Sequence, residues 1–183
     1  MELLPIQTAR LVLRRFSTDD LEAFQAYRPD PDLARYQDWE PTSDEHARAF
    51  LAGQAQQVLG AAGEWLQVAV TRSDTGEVIG DLGLCVVDEG GGVVTLGFTL
   101  AQSAQGHGYA IEAVRGVLGV LLGQGRVRSV VAVTDARNAA SVALLRRVGF
   151  GHEGTTAAVF RGEPCQEHTF VLTDEQWARR QAD

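Results

Sequence analysis

Residues 105 to 110 read Gln105-Gly106-His107-Gly108-Tyr109-Ala110, and this stretch constrains the architecture more than any other. It follows an alternating apolar run at 93–100. It precedes a segment at 110–122 in which Ala110, Ala113, Val114, Val117, Leu118 and Leu121 recur at helical spacing. A glycine-rich turn that closes a strand and opens a helix gathers unpaired N–H groups at the positive end of the helix dipole, a setting suited to a phosphate. The same glycines also read as a plain tight turn with a helix cap. Two common phosphate motifs are excluded. Gly106 and Gly108 have no third glycine in the dinucleotide register, and no Gly-Lys-Ser/Thr follows.

The flanking pattern sets the fold class. Alternation places strands at 11–16, 65–71, 78–87, 93–100, 129–134, 155–160 and 165–172. Ser17-Thr18-Asp19-Asp20 caps a short helix with Leu21, Phe24 and Tyr27 inward, stopped at Arg28-Pro29. Thr42-Ser43-Asp44-Glu45 reads as a capping box for a helix to about residue 58. A helix over 139–148 closes at Gly149, and a last one spans 174–182. The order β-α-α-β-β-β-α-β-α-β-β contains a three-strand antiparallel meander, which rules out a plain doubly wound sheet.

Composition narrows the partners. In 183 residues the net charge is −8, so no basic surface is available to neutralise a run of phosphates and a nucleic-acid partner is excluded. The charge fits a cationic small molecule or peptide. No apolar run reaches the roughly 20 residues of a membrane span and no leader pattern opens the chain, so the expected location is cytoplasmic, with no membrane partner. Cys85 and Cys165 lack metal spacing and read as small buried or half-buried side chains; no metal is expected. All sixteen basic residues are arginine and Asn138 is the single asparagine. A GC-rich genome explains this bias, as would an enzyme that modifies amines and avoids its own lysines.

Gln105-x-x-Gly108-x-Ala110 matches the Gln/Arg-x-x-Gly-x-Gly/Ala motif of the GNAT N-acetyltransferase superfamily. The run from Gly106 to Ala113 resembles its ribosomal-protein-alanine acetyltransferase branch. So do Asn138-Ala139-Ala140-Ser141, Leu144-Leu145-Arg146-Arg147-Val148-Gly149-Phe150, Thr8-Ala9-Arg10-Leu11-Val12-Leu13-Arg14 and the stretch at 78–84. The resemblance covers roughly residues 8–172. It implies one α/β (α+β) domain over 1–183, with a mixed, mostly antiparallel seven-stranded sheet splayed at its centre and helices on both faces. It also implies acetyl-CoA as co-substrate and a small-molecule or peptide amine as acceptor. A homodimer is left open.

The resemblance assigns coenzyme A to Gln105, Gly106, His107, Gly108, Tyr109 and Ala110 at the pyrophosphate. The backbone of Phe98, Thr99 and Leu100 would hold the pantetheine arm, which would lie between two splayed strands like an added strand. Asn138 either bonds that arm or caps the following helix. Many members place a tyrosine where Leu145 stands here, to protonate the departing thiolate. In this branch a serine such as Ser141 takes that role, unless its hydroxyl bonds back to the preceding turn.

The reaction implied is direct attack of an amine on the thioester, with a backbone N–H near Thr99 or Leu100 holding the oxyanion. Relatives often carry a glutamate base at the position of Thr95. Here the available carboxylates are Asp81, which shares a strand face with Gly83 and Cys85, and Glu40 beside Trp39. The lack of an obvious strong base favours an α-amine, with an ordinary pKa of about 7.7–8.0, over a lysine at about 10.4. Tyr36, Trp39 and Glu40 are the expected acceptor wall, though the aromatics read equally as packing for their loop. The alternatives are acetylation of a small amine (antibiotic, polyamine or amino acid) and a non-catalytic acyl-CoA-binding module on the same fold.

Overall fold

A computed structural model describes residues 3–37, 39, 43–88, 90, 92–125 and 127–182. Its strands are β1 (Ile6–Gln7), β2 (Leu11–Arg15), β3 (Trp65–Arg72), β4 (Val78–Val86), β5 (Val93–Leu100), β6 (Ser129–Asp135), β7 (Gly151–Phe160) and β8 (Glu163–Thr173). The helices are α1 (Leu21–Tyr27), α2 (Pro31–Ala34), α3 (Asp44–Gln56), α4 (Tyr109–Gly123), α5 (Ala139–Val148) and α6 (Asp174–Ala182). Among the described residues no helix is long and apolar enough to cross a membrane.

The strands form one sheet in the order β1-β2-β3-β4-β5-β6-β8-β7. The sheet therefore has eight strands, one more than the seven expected. The extra strand is β1, whose two residues pair with Leu13 and Val12 and are too few to leave an alternating signal. Every pairing is antiparallel except β5 with β6.

Alternation assigns the two faces. Leu82, Leu84, Val94, Leu96, Val130, Ala132, Phe170 and Leu172 point to one side and pack with Val114, Val117, Leu118 and Leu121 of α4, Leu145 and Val148 of α5 and Trp177 of α6. Phe16, Ala69 and Val78 point to the other side and pack with Phe24 of α1 and Ala47 and Leu51 of α3. A bulge makes this possible. Val70 and Thr71 pair with Gly80 and Val78, leaving Ile79 as an extra residue that shifts the alternation of β4. Asp81, paired with Ala69 and alternating with Leu82, is on the α1 side.

The sheet opens where β5 meets β6. Their parallel pairing ends at Thr95 and Val131. Beyond it β5 stays with β4 as far as Leu100, and β6 stays with β8 as far as Asp135. Gly80 holds β5 on its side of the gap: a Cβ there would collide with the carbonyl oxygen of Thr99. The expected central splay is present.

Candidate active site

The site begins at the start of α4. Gly106 and Gly108 have φ of +78° and +81°, the left-handed region that glycine enters at little cost. Gly108 is the N-cap residue and carries no side-chain cap. The first helical bond runs from the Glu112 N–H to the Gly108 carbonyl, which leaves the N–H groups of Tyr109, Ala110 and Ile111 without helical partners. These residues line a cavity of about 500 Å³.

Side chains of the turn between β1 and β2 hold this loop. Glu112 accepts from Thr8 Oγ1 at 2.6 Å and from the Arg10 backbone N–H at 2.7 Å. Its other oxygen accepts from Arg10 Nε at 2.7 Å. The Arg10 guanidinium also donates to the His107 carbonyl at 3.1 Å and lies over the Tyr109 ring at 4.6 Å. Partial burial works against the Glu112 carboxylate, but the hydrogen bonds from Thr8 and Arg10 outweigh it and hold its pKa below the ordinary glutamate value. The Thr8-Ala9-Arg10 stretch therefore serves the glycine loop from a distance of about a hundred residues in sequence. No local pattern announces that pairing.

Opposite the loop, Asn138 is the N-cap of α5, and its Oδ1 accepts the Ser141 N–H at 3.2 Å. Both residues line the large cavity, together with Phe98, Thr99, Leu100, Leu144 and Arg147. The Ser141 hydroxyl makes no hydrogen bond with the described residues, so the bond back to the preceding turn is not formed. Backbone direction along β5 follows from its ends. The Val93 carbonyl and the Ala101 N–H are both engaged on the β4 side. Alternation therefore aims the backbone groups of Phe98 and Leu100 into the gap and those of Thr99 toward β4.

A smaller cavity of about 130 Å³ opens from the same place. It shares Tyr36, Gln37, Phe98, Asn138 and Ser141 with the large one and adds Gly97, Val133, Asp135, Phe160, Cys165 and Glu167. It passes between the diverging strands to the sheet face opposite α4. Asp135 is engaged there. Its Oδ1 accepts from the Arg137 backbone N–H at 2.8 Å and from Nε at 3.0 Å, and its Oδ2 accepts from Nη2 at 2.7 Å. Those bonds from Arg137 hold the Asp135 carboxyl below its usual pKa.

Several expected site residues stand elsewhere. Gln105 lines the cavity, but its backbone N–H goes to Gln102 and its side-chain amide donates to the Leu100 carbonyl at 3.1 Å, so it braces the loop instead of offering a free N–H. His107 does not line either cavity; its ring bonds the Gln105 carbonyl and stacks on Tyr109. Trp39 lines neither cavity. Its Nε1 donates to the Arg28 carbonyl at 3.1 Å and its ring lies under the Arg28 guanidinium at 4.3 Å, the packing alternative. Tyr36 does line both cavities. Glu40 lies outside the described residues.

Asp81 is buried and lines neither cavity. Tyr27 Oη donates to its Oδ2 at 2.5 Å, and Arg28 Nη2 lies 3.5 Å away. Burial pushes the Asp81 carboxyl above its usual pKa, against the opposing pull of Arg28 and the Tyr27 hydrogen bond. Burial, with the neighbouring Asp81, also pushes the Tyr27 phenol well up. Enclosed in this way, Asp81 has no path to a reacting amine. Among the described residues no cluster of three or more His, Cys, Asp or Glu side chains could hold a metal ion.

Comparison with known proteins agrees with this geometry. An N-acetyltransferase of Bacillus licheniformis, p20, is 27% identical over 81% of this chain and 83% of its own length. An acetyltransferase of the GNAT family from Bacillus anthracis superposes with a TM-score of 0.84 at 19% identity, covering 94% of this chain and 99% of that one. RimL, a ribosomal L7/L12 α-N-protein acetyltransferase solved in complex with coenzyme A, superposes with a TM-score of 0.80 at 21% identity, covering 96% and 99% of the two chains. The family model described as the acetyltransferase (GNAT) domain matches residues 10–151, a span that holds the glycine loop, both diverging strands and α5, and the chain belongs to that family.

Proposed function

We propose that this chain transfers the acetyl group of acetyl-CoA directly to a primary amine, in the first place an N-terminal α-amine of a peptide or protein. The observation that carries the reading is the uncapped start of α4, open to a cavity that runs on to the gap between β5 and β6. The N–H groups of Tyr109, Ala110 and Ile111, with the backbone of Gly106 and Gly108, suit a pyrophosphate. The backbone of Phe98 and the N–H of Leu100 offer a strand edge to the amide groups of a pantetheine arm, the Leu100 carbonyl being engaged by Gln105. Asn138 keeps its side-chain amide group for the same arm while its oxygen caps α5.

An arm lying along β5 brings the thioester to the point where both cavities meet, beside Ser141. The Leu100 or Phe98 N–H there can hold the oxyanion of the adduct. The Ser141 hydroxyl, without a hydrogen-bond partner among the described residues, can give its proton to the departing thiolate. The smaller cavity then serves the acceptor, arriving from the opposite sheet face. Collapse of the adduct needs no covalent enzyme intermediate. Two things support the α-amine preference: RimL acts on a protein α-amine, and such an amine requires only a base of modest strength.

The test is acetyl-CoA turnover on an amine panel (N-terminal peptides, polyamines, aminoglycosides, free amino acids), read by thiol release. Transfer to at least one peptide α-amine is expected. Ser141→Ala should lower kcat by about 100-fold or more with coenzyme A affinity retained, the range expected of a positioned proton donor. Tight coenzyme A binding with every amine inert would leave an acyl-CoA-binding module instead.

A further inference from the structure

We infer that Glu167 is the carboxylate that receives the acceptor ammonium and takes its proton. The inference rests on the acetyl-transfer reading above and adds to it the group that binds the acceptor. Asp135 on β6 and Glu167 on β8 are directly opposed in the register and both line the smaller cavity. Like charges opposite each other across two strands are unfavourable. Arg137 occupies both oxygens of Asp135 and settles half of the conflict. The Glu167 carboxylate makes no hydrogen bond or ion pair with the described residues. A half-buried carboxylate in a narrow cavity, facing a second carboxylate, is a place for an incoming cation.

The surroundings define that cation. The cavity walls are Val133, Phe160 and Cys165, with Gly97 on the far side, where an added Cβ would meet nothing within 4 Å. Such a space takes a primary ammonium on a short aliphatic stem better than a bulky or anionic group. Continuity with the large cavity through Phe98, Asn138 and Ser141 leads from Glu167 to the thioester position.

The proton account closes. The ammonium gives one proton to Glu167 and gains its lone pair. The N–C bond forms at the thioester carbonyl, and the C–S bond breaks with its electron pair on sulfur. The thiolate takes the Ser141 proton, which the second N–H of the adduct replaces. The third hydrogen stays on the product amide, and Glu167 releases its proton to solvent.

The experiment uses the full chain, acetyl-CoA and the best amine of the panel. Glu167→Gln should lower kcat/KM for the amine by about 100-fold or more with coenzyme A affinity within twofold of the parent. Glu167→Asp should recover part of the loss. Glu153→Gln, on β7 outside both cavities, should match the parent. Gly97→Val, which narrows the cavity from the opposite wall, should also reduce amine turnover with coenzyme A affinity kept. Should Glu167→Gln lose coenzyme A binding through misfolding, Glu167→Ser and Gly97→Val carry the same criterion. An active parent with Glu167 variants within threefold of it overturns the inference and leaves acetyl transfer standing. A parent that binds coenzyme A and acetylates no amine overturns the reading, and this inference with it.

Discussion

Tyr27 Oη donates a 2.5 Å hydrogen bond to Asp81, and the carboxylate so held faces the Arg28 guanidinium at 3.5 Å. Arg28 in turn lies over the Phe24 ring at 4.0 Å and the Trp39 ring at 4.3 Å. The loop at the cavity mouth is thus braced from beneath by a buried polar cluster, and Asp81 acts on the site only through it.

Removing Asp81 should therefore damage the fold before the chemistry. Asp81→Ala leaves Arg28 with an uncompensated, largely buried charge and should cost about 3–5 kcal/mol in denaturant unfolding. Asp81→Asn separates charge from shape. Burial raises the folded-state pKa of Asp81 above its unfolded value, so its favourable contribution is complete at acid pH and is lost as pH rises through the folded pKa. The stability of Asp81→Asn relative to the parent should therefore improve from acid to neutral pH. A constant difference across that range would contradict this.

Glu112 should show the opposite trend. Its folded pKa is depressed, so its contribution is complete above the unfolded value of about 4.3 and is lost as pH falls through the folded one. Glu112→Gln should lose about 1–2 kcal/mol at pH 7, the scale of a few charge-assisted hydrogen bonds at a partly exposed site. The deficit should shrink toward pH 3. Coenzyme A affinity, followed by calorimetry, should fall because the glycine loop loses its tie to Thr8 and Arg10.

The two loop glycines are needed for conformation. Nothing lies within 4 Å of a Cβ added at Gly106, and at Gly108 the nearest atom is Arg10 Nη2 at 3.5 Å. Each Gly→Ala change should thus cost about 1–2 kcal/mol from the left-handed φ alone. In binding, Gly108→Ala should lose at least tenfold in coenzyme A affinity, since Gly108 caps the helix start proposed to face the phosphate. Wild-type affinity in that variant would remove the phosphate role.

Arg161 supplies the upper brace of the mouth. It occupies a left-handed φ of +51° in the two-residue turn between β7 and β8, and its Nη2 donates to the carbonyls of Gln37 at 3.1 Å and Trp39 at 2.6 Å. Asn accepts that turn conformation, so Arg161→Asn keeps the hairpin and removes the clamp. A severalfold rise in the amine KM is expected, with kcat and coenzyme A affinity little changed. Steady-state kinetics at saturating acetyl-CoA measures the split.

Much of the side of the cavity proposed for the donor could be read from local pattern. Gly106 and Gly108 announced a tight turn at a helix start, and the stripe from Ala113 to Leu121 announced the helix behind it, because both depend on residues a few positions apart. Ser141 and Asn138 were readable for the same reason, as members of one helix start. The side proposed for the acceptor was not. Asp81 stood in an apolar strand like a functional carboxylate, yet its side of β4 packs against Tyr27 and Arg28, more than fifty residues away in sequence.

The sequence by itself determined the element order, the phosphate-suited loop and the opposing α5 start, since periodicity and turn chemistry are properties of neighbours along the chain. Only the tertiary structure decided which carboxylate faces the gap. Asp135 and Glu167 come from separate strands, and their opposition, with Arg137 engaging one of them, arises from strand register that no local pattern specifies.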